Sequence, residues 1–325
     1  MAELSDSART GVTRARGTTL AGGVKVRKSR SLWSDAWRQF RKHKMALVGV
    51  AILTLIITAC LVGPLIYTKN PQALDIPKGA LVPIGLGGPS LSAPMGVDEL
   101  GHDILARVLS GGRKSLLVGL MAVVVSITVG TLVGAIAGFF GKGVDSLLMR
   151  TTDLFLALPQ LPLLLLISYL YVAKLKAIFG VENGILILIV LVIGFLNWMP
   201  VARLVRASFL SLKEKEFVEA ARCIGATTPS LIFKHIMPNV LSPVIVAATL
   251  GVGAAIIAES TLSFLGLGFP PDVPTWGSLL AGGRDSLEFA PHIAVFPGLM
   301  IFLVVLSINY IGDGLRDALD PRSRI

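Results

Sequence analysis

About six long apolar runs alternate with polar stretches along the 325 residues of this chain. An α-helix needs about 20 predominantly apolar residues to cross the hydrocarbon core of a bilayer, and each run is close to that length. The pattern therefore predicts an all-α polytopic membrane protein with about six transmembrane helices. The runs cover residues 45–67, 115–140, 153–173, 184–204, 240–264 and 292–311.

The second and fifth runs are rich in small residues. Gly119, Gly130 and Gly134 are spaced along the second run, and Gly251 and Gly253 lie in the fifth. Small residues allow helices to approach one another closely inside a membrane. We therefore expect these two spans in the interior of the bundle, near a translocation path, and the first span, whose side chains are mostly large, against lipid.

The polar stretch between the fourth and fifth runs, residues 213–239, keeps a helical periodicity. Phe217, Ala221 and Ile224 recur at the spacing of one helical face. Gly225 then breaks the pattern, as a helix-ending glycine does. The stretch is therefore predicted to begin with a short amphipathic helix that stops at a tight turn.

A second helix is predicted after this turn. Thr227 or Thr228 is a suitable N-cap, and Pro229 occupies a tolerated position in the first turn. Pro238 is expected to end the helix before the next span. Its apolar face would consist of Leu231, Ile232 and Ile236. Since nothing else in the sequence obviously covers these faces, we interpret the segment as a helix–turn–helix that another protein grips in a groove.

Composition and charge place the chain in a membrane with a defined orientation. Only 15% of the residues are charged and 53% are hydrophobic, whereas soluble domains carry about 25% charged residues. The net charge is +10, and most Lys and Arg residues precede the first run or follow the second, fourth and sixth. By the positive-inside rule, both termini and residues 213–239 are expected in the cytoplasm. No nucleic-acid motif accompanies the charge, so no nucleic-acid partner is expected.

The chain ends are predicted to lie on the cytoplasmic side. Residues 1–30 are basic and poor in large apolar residues, which is typical of a disordered tail in contact with lipid. Trp33, Trp37 and Phe40 share one face of a predicted interfacial helix that leads into the first span, so that residues 31–67 form one unit. Residues 315–325 are predicted to form a cytoplasmic tail.

Two longer loops are expected on the extracytoplasmic side. The first, residues 68–112, is rich in Pro and Gly, and an apolar stripe at 98–109 predicts a short helix on the outer surface with Asp98 as its cap. The last, residues 266–291, contains Trp276 among several prolines. This loop either meets an extracytoplasmic protein or folds back over the bundle, and the sequence favours neither.

The sequence carries no pattern of an enzyme. The phosphate-binding pattern G-x-x-x-x-G-K-[ST] is absent, and residues 109–112 copy only the first letters of the cassette ATPase signature, without a nucleotide-binding domain around them. The histidines are scattered, so neither a metal site nor a nucleophile–base pair is predicted. The chain is therefore expected to bind no cofactor or metal and to take its energy from a partner.

A few polar residues inside the predicted spans are candidates for a translocation path. Glu259 lies near the outer end of the fifth span, where a carboxylate is a functional candidate by default. It either lines the path together with Ser260 or makes a structural bond to neighbouring hydroxyls, and the second reading is favoured. Asn197 either contacts substrate or bonds between helices, and Arg150 and Asp153 are expected to pair at the membrane interface.

Several sequence blocks resemble the permeases of ATP-binding-cassette (ABC) importers. Glu219-Ala220-Ala221, followed by Gly225 and by Ile236-Met237-Pro238, is similar to their EAA loop. The general pattern prefers Ile where this chain has His235, and His-Ile-x-Pro-Asn is instead similar to the dipeptide/oligopeptide branch. The other blocks that resemble this branch lie at residues 96–101, 258–266 and 312–317, and residues 40–46 resemble its second permease subunit.

The resemblance implies the type I ABC importer permease fold, with a permease core at residues 113–314. It implies a permease subunit that moves di- or oligopeptides across the cytoplasmic (inner) membrane of a bacterium or an archaeon. The segment 213–239 would be the coupling loop that docks in an ATPase subunit. The residues assigned to this coupling are Phe217, Glu219, Ala220, Ala221, Gly225, His235 and Pro238.

The same resemblance implies an assembly of several chains. The partners are a second homologous permease subunit in a heterodimer, two cytoplasmic ATPase subunits that hold ATP and Mg²⁺, an extracytoplasmic substrate-binding protein and membrane lipid. Within the family the cargo could instead be a nickel complex, a glutathione-like peptide or a short oligosaccharide. A stand-alone secondary transporter is the alternative from another class, and it would need charged residues at mid-span and broken half-helices, neither of which is clear here.

Overall fold

The computed structural model describes residues 32–73 and 88–319 and shows, within these ranges, a bundle of α-helices with one isolated bridge between Val97 and Asp103. The predicted tail at 1–30 lies outside the described residues. The helices are α1 (Leu32–Phe40), α2 (Lys44–Ile66), α3 (Ile104–Phe140), α4 (Lys142–Ala157), α5 (Gln160–Phe179), α6 (Val181–Leu196), α7 (Trp198–Leu212), α8 (Glu216–Cys223), α9 (Thr228–Ser230), α10 (Met237–Phe264), α11 (Trp276–Gly282) and α12 (His292–Leu319), and the π-helical turn Leu231–Ile236 joins α9 to α10.

The prediction of about six spans is confirmed. Within the described ranges, five helices are long and apolar enough to cross a membrane: α2, α3, α5, the continuous unit Thr228–Phe264 and α12. The pair α6 and α7 qualifies as a sixth span with a bend of 42° between its two halves. The C-terminal boundary differs from the prediction. Helix α12 continues to Leu319, into residues that the sequence assigned to the C-terminal tail.

The third predicted span is placed differently in the structure. Residues 153–157 end α4, and α5 begins only at Gln160. Pro159 explains the break, because a proline disfavours helical backbone at the residue before it, and Leu158 is indeed extended with φ −75° and ψ 137°. The span is therefore α5, which lies further along the chain than the apolar run suggested.

Small residues hold the interior helices together, as predicted. A Cβ atom added at Gly134 in α3 would overlap the carbonyl oxygen of Ala202 in α7. A Cβ atom added at Gly119, also in α3, would lie 2.6 Å from a side-chain carbon of Ile256 in α10. Because these glycines lack a side chain, α3 reaches both neighbours at backbone distance.

The first span, α2, lies at the periphery of the bundle, as expected from its large side chains. It packs against α12, where Gly49 faces the carbonyl oxygen of Ser307. Leu55, Leu61 and Leu65 on its other side are exposed in the isolated chain. At its N-terminal end, Phe40 of α1 is buried against α12.

The loop before α3 ends earlier than predicted. Helix α3 begins at Ile104, and its cap is Asp103, whose side chain accepts the N–H of Ala106 at 2.9 Å. The prediction of a separate surface helix capped by Asp98 is therefore wrong, because residues 104–109 of the apolar stripe form the first turns of α3 and residues 98–103 precede the helix. Asp98 instead accepts the backbone N–H of Leu100 and His102 in the preceding turn.

The loop at 266–291 folds back over the bundle, which is one of its two predicted alternatives. Trp276, the first residue of α11, is fully buried, and its indole N–H donates to the carbonyl oxygen of Val108 at 3.1 Å. Gly111 and Gly112 of α3 lie directly against this loop, where a side chain would collide with Pro274 or Trp276. The glycines that copied the start of an ATPase signature thus serve helix packing.

Candidate functional site

Residues 213–239 form the predicted helix–turn–helix at one end of the bundle. Helix α8 ends at Cys223, and Gly225 follows with φ +83°, in the left-handed region that favours glycine. The N–H of Ala226 then donates to the carbonyl oxygen of Ala221 at 3.0 Å and closes the turn. Thr227 is the cap residue of the next helix, although its side chain makes no capping hydrogen bond.

One face of α8 is packed against its own chain. Val218 and Ala221 are buried in a cluster with Leu231 and Ile236 of the following helix and with Phe209 of α7. Ala221, which the resemblance assigns to the contact with an ATPase subunit, therefore lies inside the segment. This packing joins α8 to the two helices that precede and follow it.

The opposite face of the segment remains exposed. Ile224 is 85% exposed, Phe233 63% and Phe217 42%, and Glu219 and Ala220 are exposed beside them. Single exposed apolar residues are ordinary, but several on one short segment are typical of a protein interaction site. The segment thus combines a rigid internal face with an uncovered apolar face.

The prediction that Pro238 ends the second helix is wrong. The helix changes to a π-helical turn at Leu231–Ile236, in which the N–H of Met237 donates to the carbonyl oxygen of Ile232, and then continues as α10. A proline inside a helix lacks the N–H for the carbonyl group four residues earlier, and its ring crowds that group. The wider π turn accommodates the proline, and His235 is half-buried within it. The segment is consequently continuous with α10.

Two ion pairs fasten α4 to α7 near this segment. Asp145 accepts hydrogen bonds from the guanidinium of Arg206, one of them at 2.6 Å, and Asp153 accepts one from Arg203. The hydrogen bond from Arg206 lowers the pKa of the Asp145 carboxyl below its ordinary value. The expected partner of Asp153, Arg150, is on the same helix, and the structure pairs Asp153 with α7 instead.

Glu259 and Ser260 are enclosed in the bundle at its other end. The Glu259 carboxyl is fully buried and accepts hydrogen bonds from Ser115 of α3 at 3.2 Å and from Ser263 at 2.9 Å. Ser115 in turn accepts the backbone N–H of Trp276 at 3.2 Å. Ser260 is buried where Gly277 of α11 packs against its backbone. The favoured structural reading of Glu259 agrees with these contacts, which tie α3, α10 and α11 together.

Asn197 lies at the bend between α6 and α7. Pro200 cannot donate to the carbonyl group of Leu196, which interrupts the helix, and the Asn197 side chain donates to the carbonyl oxygen of Ile193 at 2.8 Å. Ser126 of α3 donates to the backbone carbonyl oxygen of Asn197 at 2.7 Å. Asn197 lines a cavity of about 390 Å³ between α3, α7 and α10. Pro200 is the sequence signal for the bend.

A cluster that the sequence did not indicate lies at the start of α3 and in the turn before it. The guanidinium of the buried Arg107 donates to the Asp98 carboxylate and to the carbonyl oxygen of Pro271, and His102 lies 3.0 Å from the same carboxylate. The cluster joins the loop before α3 to the loop at 266–291. In the part of the chain that the structure describes, no three His, Cys, Asp or Glu residues are grouped as metal ligands.

Two family models match this chain, one over its N-terminal part and one over the larger part that follows. Residues 130–325 match the family described as "Binding-protein-dependent transport system inner membrane component". Residues 31–83 match "N-terminal TM domain of oligopeptide transport permease C".

Curated relatives are similar over nearly their whole length. The dipeptide transport system permease protein DppC of Alkalihalophilus pseudofirmus is 40% identical over 296 residues, 90% of this chain and 91% of that protein. The oligopeptide transport system permease protein OppC of Haemophilus influenzae is 40% identical, with 91% of each chain covered. The glutathione transport system permease protein GsiD of Escherichia coli is 38% identical over 92% of this chain and 93% of that protein.

A solved structure shares the fold. A chain of the MetNI methionine ABC transporter, in an inward-facing conformation, superimposes with a TM-score of 0.52 and 17% sequence identity. The superposition covers 67% of this chain and 96% of that one. The predicted type I importer permease fold is thereby confirmed.

Proposed function

Since the chain belongs to the family of inner membrane components of binding-protein-dependent transport systems, we propose that it is the permease subunit of an ATP-driven importer of di- or oligopeptides. The observation that carries this proposal is the segment 213–239, whose inner face is packed against α7 and α10 while Phe217, Ile224 and Phe233 stay uncovered. Because α8 is packed against its own chain on one face and exposed on the other, a partner that binds the exposed face could move α7 and α10 through the packed face.

The proposed coupling mechanism uses this geometry. The exposed face of α8 enters a groove of an ATPase subunit, where Phe217 and Ile224 supply apolar contact and Glu219 pairs with a cation. When two ATPase subunits close on ATP and Mg²⁺, α8 moves with them. Because Val218 and Ala221 are packed against α7 and the start of α10, both helices tilt with α8. The π-helical turn and the bend at Asn197 interrupt the regular helical hydrogen bonds, so the backbone can change its angle at these two places.

The peptide cargo is supported by the dipeptide and oligopeptide permeases that are 40% identical to this chain. A glutathione-like peptide is the second candidate, because a glutathione permease is 38% identical over a similar length. The proposed partners are a second, homologous permease chain, two ATPase subunits and an extracytoplasmic binding protein. The proposed location is the bacterial or archaeal cytoplasmic membrane, with both termini and residues 213–239 in the cytoplasm.

Reconstitution tests this function against a stand-alone secondary transporter. The chain and its companion permease are placed in proteoliposomes with and without the ATPase subunits, and uptake of a radiolabelled tripeptide is measured in the presence of the binding protein. Uptake should require both the ATPase subunits and ATP. Uptake without them that follows an imposed ion gradient would contradict the proposal.

Charge reversal at Glu219 tests the coupling face. Glu219→Lys should abolish co-purification of the ATPase subunits or uncouple their hydrolysis from uptake, since the exposed carboxylate would no longer pair with a cation of the partner. Glu288→Lys is the matched control, because Glu288 is also exposed but lies in the loop at the other end of the bundle. Equal co-purification and uptake in the two variants would refute the assignment of the coupling face.

A further inference from the structure

The first helix, α1, is fixed to the end of α12 by one of its faces. Ala36 and Phe40 are buried there in a cluster with Ala318. A Cβ atom added at Gly314 of α12 would lie 3.2 Å from the ring of Phe40, so the two helices are in close contact. The position of α1 on the bundle is therefore set by this apolar face.

Outside this contact, α1 presents an aromatic ring and cations. Trp37 is 62% exposed and stacks on Phe40, with 6.0 Å between the ring centroids. Residues 32–44 contain a single acid, Asp35. In the part of the chain that the structure describes, no ion pair is formed by any of the four exposed cations that follow the tryptophan, which are Arg38, Arg41, Lys42 and Lys44. Their attraction for anions is therefore not satisfied by the described side chains.

These cations adjoin the first turn of the peripheral span α2. The Nδ1 atom of His43 accepts the N–H of Ala46 at 3.1 Å and so caps α2, while its Nε2 atom lies 3.7 Å from the carboxylate of Asp317. This acid is thus already engaged. Met45 and Val48, which follow the cap, are exposed apolar residues. Since the apolar side of a span is surrounded by hydrocarbon, and headgroups lie where the hydrocarbon ends, the cations are expected at headgroup level.

The combination of groups on α1 favours phospholipid headgroups over water or a protein partner. Solvation alone gives no reason for an exposed tryptophan beside the cations, whereas indole rings are enriched at the headgroup level of membranes. Guanidinium groups bind phosphate oxygens through two parallel hydrogen bonds. The face proposed for the ATPase subunits belongs to another part of the chain, because the segment 213–239 packs against α7 and α10 and α1 packs against α12.

We infer that the exposed side of α1, with Trp37, Arg38 and Arg41 at its centre, binds the headgroups of anionic phospholipids. The indole ring lies among the headgroups, the guanidinium groups pair with phosphate, and Lys42 and Lys44 add attraction to a negatively charged leaflet. Because α1 is packed on α12, lipid bound here is held at the end of that helix. The inference does not depend on the proposed transport function, since it concerns the lipid around the chain and not the cargo.

Fluorescence quenching by brominated lipid tests this surface in the purified chain. Two sets of proteoliposomes contain phosphatidylcholine and the same minor fraction of phosphatidylglycerol, and an equal amount of bromine label is carried by phosphatidylglycerol in one set and by phosphatidylcholine in the other. The contribution of Trp37 is the emission that Trp37→Phe removes. Each cation near a membrane surface favours anionic lipid by about fivefold, so labelled phosphatidylglycerol should quench Trp37 several times more strongly. Raising the salt concentration from about 0.1 M to about 1 M should reduce this difference, because the Debye length falls from about 10 Å to about 3 Å.

Double variants separate the charge of this surface from its fold. Arg38→Gln/Arg41→Gln should make the two labels quench nearly equally, whereas Arg38→Lys/Arg41→Lys should keep the preference for phosphatidylglycerol. Lys174→Gln/Lys176→Gln, near the C-terminal end of α5, is the matched control and should behave as the unmodified chain. Unfolding midpoints in detergent check the fold, and they should not change because Arg38 and Arg41 are exposed.

Three results would overturn the inference. The first is equal quenching by the two labels in the unmodified chain. The second is a preference for phosphatidylglycerol that survives Arg38→Gln/Arg41→Gln or that does not decrease with salt. The third is equal quenching combined with loss of ATPase co-purification in Arg38→Gln/Arg41→Gln, which would assign the cations to a protein partner instead.

Discussion

Asp145 and Glu259 are two carboxylates at helix–helix contacts with partners of different kinds. Asp145 faces the guanidinium of Arg206 at the end of the bundle that carries α8, whereas Glu259 is surrounded by the hydroxyl groups of serines. The first contact depends on charge, and the second depends on the number of hydrogen bonds that a buried carboxyl can accept. The two residues therefore respond differently to the same substitution.

Truncation of Glu259 should destabilise the chain more than its replacement by an amide. Glu259→Ala removes the acceptor of Ser115 and Ser263 and leaves their hydroxyls buried without it, which costs about 1–3 kcal/mol for each unsatisfied group. Glu259→Gln keeps one carbonyl oxygen of the same reach and should preserve most of the stability. Thermal unfolding of the purified chain in detergent measures the difference. Equal midpoints for the Ala and Gln variants would show that these hydrogen bonds do not hold α11 in place.

The contact between α4 and α7 should weaken in acid. Hydrogen bonding from Arg206 holds the pKa of Asp145 below its ordinary value, which is about 3.9. The stabilisation is therefore complete above pH of about 4 and is lost as the pH falls through the lower pKa of the folded chain. Asp145→Asn should remove this part of the acid dependence. Unfolding midpoints between pH 7 and pH 3 test it, and the Asp145→Arg/Arg206→Asp double variant should recover part of the stability at pH 7.

For single residues, the sequence shows which polar side chains lie in or beside an apolar span, but it does not show which residues they contact. The hydroxyl-bearing residues that follow Glu259 in the sequence favour its structural reading. The start of the third apolar run offers Arg150 as a partner for Asp153, whereas the structure pairs Asp153 with Arg203 of another helix. Contacts between distant parts of the chain, such as Arg107 with Pro271, carry no local pattern.

At the scale of helices, glycines of α3 should be far more sensitive than a glycine of α4. Gly134→Ala forces a methyl group against the backbone of Ala202, and such overpacking costs about 1–3 kcal/mol. Gly143→Ala is the control, since a Cβ at Gly143 meets no atom within 4 Å, and it should be neutral or slightly stabilising. Thermal unfolding and the amount of chain recovered from membranes measure both. A Gly134→Ala variant as stable as Gly143→Ala would contradict the close contact of α3 and α7.

Hydropathy alone predicts the number of spans, and it predicts the bounds of α2 to within one residue. It succeeds because each helix that crosses a bilayer needs about 20 apolar residues. It did not predict where apolar runs are broken. Pro159 moves the third span to α5, and Pro200 bends the fourth at Asn197. Pro238, in contrast, does not end its helix, because a π-helical turn accommodates it. The outcome at each proline depends on the packing of the neighbouring turns, which a local pattern does not contain.

At the scale of the whole molecule, the helix contacts define two ends of the bundle. Gly138 of α3 packs against Phe209 of α7, and Gly314 of α12 packs against Phe40, so α1, the end of α12 and the segment 213–239 share one end. Gly63 of α2 packs against Leu109 of α3 at the opposite end, where the loops that precede α3 and α11 lie. The distribution of basic residues predicts that the first end is cytoplasmic.

The two native cysteines provide a direct measurement of this orientation. Cys223 is exposed beside Gly225 at the first end, and Cys60 is buried in α2. A membrane-impermeant maleimide should therefore label Cys223 in inside-out vesicles but not in intact spheroplasts when the chain is expressed without ATPase subunits. Leu91→Cys in a Cys223→Ser background is the control, because Leu91 is fully exposed near the opposite end and should be labelled only in spheroplasts. The reverse pattern would place residues 213–239 outside the cell, where no ATPase subunit could bind them, and would refute the proposed coupling.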